Sequence, residues 1–260
     1  MDEPSKVSGV LPRAHTILKT IAAAGHAGIR LKDLTERTAL ARPTVHRMLQ
    51  DLAEIGLVSQ REDKQYALGP ELFWLGLAAP SALPWLPAVR SIAADLARRT
   101  QDTVYVTMRE AGGVRYLVRV EGDYPLQSRV VSVGELKPFT SSYSGLALLA
   151  GLSRETQESA LQHIIVDPSE KQGPDLDTLE AMMREALRQV HTQGWCTGPG
   201  LVMPGLSGLA APVPHPMGPP IVAISISAAE FRLTPERAAE LAPALLATAR
   251  AAGAAIAAGD

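Results

Sequence analysis

Three prolines, Pro80, Pro84 and Pro87, crowd residues 79–87. Each fixes its own φ and lacks an amide donor, and each pushes the residue before it out of the helical region. Neither a helix nor a paired strand can run through such a stretch. The chain has 260 residues, enough for a folded unit on either side. We therefore place a first domain over 1–70, a helix started by Pro70 over 71–80, and a second domain over 81–260.

Before the prolines the apolar spacing is helical. Pro12 suits a first turn, where its missing N–H costs nothing. Ile17, Leu18, Ile21 and Ala22 follow at helical intervals, and Gly25 and Gly28 end the run. A second short helix fits 31–39, with Leu31, Leu34 and Ala39 inward. Leu40 and Ala41 make a tight connection, and Pro43 opens a third helix. Its Val45, Met48, Leu49, Leu52 and Ile55 form one stripe. Gly56 closes it as a left-handed cap. LVSQ and QYAL, separated by REDK, read as a hairpin with a charged tip. Helix, helix, turn, helix and hairpin in this order make a winged helix-turn-helix.

Charge supports that assignment. Residues 1–50 hold eight Lys and Arg (Lys6, Arg13, Lys19, Arg30, Lys32, Arg37, Arg42, Arg47) against four acids, a net +4, whereas the whole chain is −2 and the remainder therefore −6. Such a bias points to nucleic acid. In a helix-turn-helix the first turns of the second motif helix enter the major groove, and the positive end of the helix dipole favours phosphate there. Arg42 and Arg47 suit phosphates or guanine edges, and Thr44 and His46 are short and polar enough to read bases. Pro43 and Gln50 belong to the same candidate face, and Lys64, with Arg61, can lean from the hairpin tip onto the backbone. A merely solvated helix face could carry the same arginines. The wing, the turn spacing and the charge bias together favour DNA.

Beyond the prolines a helix fits 89–100. TVYVTMRE and VRYLVRVE are strands around the Gly112–Gly113 turn, followed by a strand near RVVSV. SGLALLAGL is a short helix, and further helices fit 153–165 and 176–191. WCTG, LSGLAAPV and IVAISISA are strands, and Thr234 with Pro235 starts a final helix. Helices on an antiparallel sheet give an α+β domain. The alanine-rich tail, interrupted by Pro243, Arg250 and Gly253, reads as a helix packed on a core. No uninterrupted apolar run approaches the roughly 20 residues of a membrane span, and the acidic start MDEPSKVSG lacks a signal core. A cytoplasmic protein without a membrane partner is expected.

No catalytic or metal signature stands out. The six histidines, His15, His26, His46, His163, His191 and His215, form no HExxH and no CxxC-linked cluster. GxSxG, GxxxxGKS and GxGxxG motifs are missing too. Cys196, the single cysteine, follows His191 by five positions and reads as a half-buried thiol at a strand start rather than as a Cys–His pair. We expect no catalytic residue, no metal and no cofactor.

Six segments in order carry a resemblance: PRAHTILKTI, LARPTVHRMLQDLAEIGLV, YALGPELFWLG, VGELKPFTSSYSGLALLAGL, HTQGWCTGPGLVMPGLSGLAAPV and AISISAAEFRLTPER. Together, almost end to end, they resemble the IclR family of bacterial transcription regulators. The resemblance implies a linker helix between the winged helix-turn-helix and a GAF-like effector-binding domain. It also implies a homodimer or homotetramer on pseudo-palindromic double-stranded DNA operators. The effector pocket would be lined by residues 126–133, by the loop 141–145, and by the PGLSGLAAPV and AISIS segments.

The candidate effector residues follow: Arg129, Ser141, Ser142, Tyr143, Ser144, Gly145, Met203, Leu206, Leu209, Ser225 and Ser227. Ser225 and Ser227 alternate onto one strand face and offer hydroxyls. Met203, Leu206 and Leu209 offer an apolar wall, and Arg129 can pair bidentately with a carboxylate. The helix beginning at the loop offers free N–H groups to an anion. In TSSYSG, Tyr143 and Ser144 replace the small residues common in the family. The expected function is a ligand-responsive transcription regulator, repressor or activator, whose effector is a small organic acid, aromatic acids included. The competing assignment is a metabolite-binding or enzymatic protein whose winged helix serves protein contacts.

Overall fold

The computed structural model describes residues 9–79, 83–162, 175–201 and 203–259. The chain divides into two compact units, Met1–Leu83 and Pro84–Asp260.

In the first unit α1 (Val10–Ala23), α2 (Leu31–Thr38) and α3 (Arg42–Glu54) meet around Ile17, Ile21, Leu34, Val45, Leu49 and Leu52. Pro43 sits in the first turn of α3. Ala39, expected inward, is instead exposed at φ 53°, because it reverses the chain between α2 and α3. Ile55 is also exposed, since α3 ends before it. Gly56 takes φ 75°. Its N–H bonds Ala53 O and the Leu57 N–H bonds Leu52 O at 2.9 Å, the paired closure of a glycine-capped helix. Strands β1 (Val58–Gln60) and β2 (Tyr66–Leu68) form the wing. Its tip is closed by Lys64 N–H donating to Arg61 O at 3.0 Å. Helix α4 (Glu71–Leu77) follows Pro70.

The second unit opens with α5 (Leu86–Thr100) and holds one antiparallel sheet. Its strands are β3 (Thr103–Glu110), β4 (Gly113–Val120), β5 (Leu136–Pro138), β6 (Cys196–Pro199), β7 (Leu206–Pro212) and β8 (Val222–Ala229). They lie in the order β5-β4-β3-β8-β7-β6. The remaining helices are α6 (Tyr143–Leu149), α7 (Arg154–Gln162), α8 (Leu176–Gln193) and α9 (Pro235–Gly259). Alternation divides the strand residues between two faces. Tyr105, Tyr116, Ala210 and Ala223 pack with α6 and α8. Their neighbours of opposite parity, Val104, Val106, Leu209, Ile224 and Ile226, are fully buried on the face that meets α5 and α9.

Two expectations change here. No strand forms near RVVSV. Ser132 N–H donates to Glu135 Oε2 and Gly134, at φ 87°, donates to Tyr116 O, so the chain turns and pairs with β4 only from Leu136. The tail does reach spanning length: α9 has 25 residues and a mean hydropathy of 1.5 over its best window. One face of it, through Ala238, Ala242, Leu245, Ala249, Ala252 and Ile256, is nonetheless buried against the sheet and α5, as in a core helix. Of the helix expected over 153–165, residues 163–165 lie outside the described residues.

An ionic knot ties the ends of these layers. Asp102, 1% exposed between α5 and β3, accepts from Arg237 Nη2 at 2.8 Å and from Arg232 Nε. Both arginines also donate to Thr100 O, and the Arg232 guanidinium lies 3.7 Å from the centre of the Tyr124 ring.

Candidate DNA interface and effector cavity

Because α3 buries Val45, Met48, Leu49 and Leu52, its other positions must face outward. Arg42, Pro43, His46, Arg47 and Gln50 are exposed and Thr44 is half-buried. The acids of α3, Asp51 and Glu54, lie in its last turns, away from the basic start. The side chains of Arg42, Arg47 and Lys64 make no ion pair or hydrogen bond among the described residues, so no partner there neutralises them. A groove of about 470 Å³ brings His46 of α3 together with Lys64 of the wing. It is also lined by Arg30, Lys32 and Gln60, which the sequence reading did not single out. Arg30 and Lys32 flank the start of α2, and only their sign hinted at this place. Asp63 in the same groove is partly occupied, accepting from Gln65 N–H at 3.0 Å.

In the second unit, a cavity of about 30 Å³ lies between the sheet and α6. Ser225 and Ser227 both line it, and so do Ser142, Tyr143 and Ser144. Tyr105, Tyr116, Val130, Val131 and Gly208 complete most of its wall. Ser227 Oγ donates to Ser128 Oγ at 2.9 Å, and Tyr105 Oη donates to Ser128 O at 2.9 Å. The Ser142 and Ser144 hydroxyls are 3.2 Å apart, and Tyr116 lines the cavity with them. The Tyr105 and Tyr116 rings meet edge-on at 5.3 Å. Ser225 differs from all of these. It is 7% exposed and faces the cavity, and among the described residues its hydroxyl has no hydrogen-bond partner.

Other candidates fall outside. Arg129 is turned to solvent, its Nε and Nη2 bonded to the two Glu121 oxygens at 2.9 and 2.6 Å. That bond holds the Glu121 carboxyl below its ordinary pKa. Leu209 points to the opposite sheet face, in register with Ile226. Met203 is exposed, and neither it nor Leu206 borders the cavity. Ser141 and Gly145 do not line it either. A Cβ on Gly145 would lie 2.2 Å from Phe139 O, so that glycine serves a close backbone approach. The free N–H groups expected at the start of α6 are partly used. Ser142 Oγ accepts from Gly145 N–H at 3.0 Å, and Ser142 O accepts from Leu146 N–H.

The cavity lining contains no Asp, Glu, Lys, Arg or His. Its titratable groups are phenols, and burial pushes Tyr105, Tyr116 and Tyr143 above the ordinary tyrosine value. Cys196 is fully buried against Tyr143 O, and burial raises its thiol likewise. It is therefore protonated and enclosed, unlike a reactive cysteine. Tyr105 and Tyr116 were legible only as inward-parity aromatics on two adjacent strands.

Two family profiles match the chain. The one described as the IclR helix-turn-helix domain covers residues 10–62. The one described as bacterial transcriptional regulator IclR C-terminal covers residues 82–254. The transcriptional regulator KdgR of Escherichia coli is 28% identical over 240 residues, 92% of this chain and 88% of that one. Among solved structures, an IclR-type regulator from Alicyclobacillus acidocaldarius superposes with a TM-score of 0.79 at 21% identity, covering 96% of this chain and 100% of that one. An IclR homologue from Microbacterium hydrocarbonoxydans, solved with 4-hydroxybenzoate, gives 0.76 at 24% identity, covering 95% and 99%.

Proposed function

The chain belongs to the bacterial IclR family of transcriptional regulators, and from that premise we propose that its hydroxyl-lined cavity senses a small organic acid and so alters the grip of the winged helix on its operator. The unpartnered Ser225 hydroxyl carries this reading. Among the described residues no polar side-chain atom is buried without a partner, so this hydroxyl is reachable from the open side of the cavity, where a carboxylate would bond to it. Ser227, Ser142 and Ser144 stand around the same space as further hydroxyls. The 4-hydroxybenzoate held by the Microbacterium relative supports an acid as the ligand class. The protein acts in this reading by binding rather than catalysis, in the cytoplasm.

Such sensing requires the acid to prefer one of two arrangements of the protein. The helix expected over 71–80 is α4, which ends at Leu77, and we place the coupling there. Its Phe73, Trp74, Leu75 and Leu77 are 53–61% exposed, an apolar set that a second copy of the chain would cover. A homodimer, or a homotetramer built from two, follows from that reading.

Ser225→Ala and Ser227→Ala test the site. A hydrogen bond to a charged group is worth about 1.5–3 kcal/mol, so each variant should bind the acid roughly tenfold or more weakly. Affinity for DNA without the acid should not change. Because the phenols lie above the usual tyrosine pKa of about 10, they stay neutral donors, and wild-type affinity should be flat from about pH 6 to about pH 9. Calorimetric titration with an acid found by thermal-shift screening reads both effects. Wild-type affinity in both serine variants would place the site elsewhere.

A further inference from the structure

We propose that Tyr143 sets the size of ligand that this cavity admits, its ring filling a bay that Gly198 and Gly208 leave bare and so excluding aromatic acids in favour of short aliphatic ones. The acid half of this statement rests on the function proposed above; the filled bay does not.

Gly198 on β6 and Gly208 on β7 are register partners. Neither needs glycine for its backbone, since neither has a positive φ. What forbids a side chain at both is Tyr143. A Cβ on Gly198 would lie 2.1 Å from Tyr143 Oη, and one on Gly208 would lie 2.6 Å from Tyr143 Cδ2. The ring therefore lies across two adjacent strands at a place where paired glycines make the sheet bare. It is 4% exposed and forms a wall of the cavity beside Ser142, Ser144 and Ser225.

The phenol oxygen contributes little to this placement. Its contact is a long 3.4 Å to Pro199 O. Ring volume is thus the property in use. The space left, about 30 Å³, holds roughly two waters, whereas a cavity of about 150 Å³ is known to hold benzene. A short acid can replace those waters with its carboxylate on the serines. An aromatic acid needs the room that the Tyr143 ring already occupies.

The test uses the full chain as wild type, Tyr143→Phe, Tyr143→Leu and Tyr143→Ala. Phenol, 4-hydroxybenzoate and propionate are titrated into each by calorimetry, with thermal melting alongside. Wild type and Tyr143→Phe should bind neither aromatic probe at millimolar concentration. Tyr143→Ala should bind phenol at least tenfold more tightly than wild type, and phenol should raise its melting temperature. Tyr143→Leu should show a smaller gain in the same direction, and it reads the proposal if the alanine variant does not fold. Wild type binding 4-hydroxybenzoate as tightly as the truncated variants would overturn the proposal. So would a cooperatively melting Tyr143→Ala or Tyr143→Leu that gains no affinity for phenol. Gain of phenol binding with no acid bound by any form would uphold the filled bay and instead refute the acid reading of the site.

Discussion

Replacing Arg42 and Arg47 together by alanine should weaken operator binding by about a hundredfold or more, because each charge-assisted bond contributes about 1.5–3 kcal/mol. The salt dependence should flatten as well: each lost phosphate contact lowers the slope of log affinity against log salt by about 1, so the pair should lower it by about 2. Both side chains are exposed at the start of α3, and neither has a partner among the described residues. Their loss therefore leaves the buried stripe of Val45, Met48, Leu49 and Leu52 untouched, and melting should be unchanged. Fluorescence anisotropy of a labelled operator at several salt concentrations makes the measurement. An unaltered slope in a folded double variant would make both arginines ordinary surface charges.

A change of opposite kind is expected from Asp102→Ala. Its carboxylate, 1% exposed, is the shared acceptor for Arg232 and Arg237, which are themselves only 16% and 24% exposed. Removing one member of a buried charge cluster costs about 3–5 kcal/mol, because the partner charges are left uncompensated. A unit of this size loses about 2–4 °C of melting temperature per kcal/mol, so the second unit should melt roughly 6–20 °C lower. The knot joins the end of α5, the start of β3 and the start of α9, so the loss should appear as one cooperative shift. Calorimetric melting of the variant checks it. A shift of under about 1 °C would mean that the arginines find water instead.

What the sequence disclosed and what it withheld follow from the range of the interactions. The winged helix was legible because its determinants are local: the α3 stripe, Pro43 in a first turn and Gly56 as a cap lie within fifteen residues. Ser225 and Ser227 were placed on one face by strand alternation alone, and β3 and β8 bear this out in their register. The Asp102 knot was invisible, since its partners lie 130 and 135 residues away. Arg129 looked like a ligand for a carboxylate, but it finds Glu121 eight residues earlier, brought beside it once β4 ends. The strand expected near RVVSV failed because Gly134 and Glu135 set a turn there, which hydrophobic alternation does not report. The apolar wall was misread for a related reason: Leu209 is one residue off the parity of Gly208 and Ala210, so it faces α5 and α9 instead. The paired glycines under Tyr143 could be seen only with the β6–β7 register in hand.

The central claim is that the first unit reads a particular DNA sequence. The most direct measurement is selection from a randomised duplex pool by the full-length protein, followed by sequencing of what it retains. The account predicts enrichment of one inverted-repeat sequence, and loss of that enrichment in the Arg42→Ala, Arg47→Ala double variant. Retention of no sequence above its share of the starting pool would contradict it, as expected of a winged helix that binds protein rather than DNA.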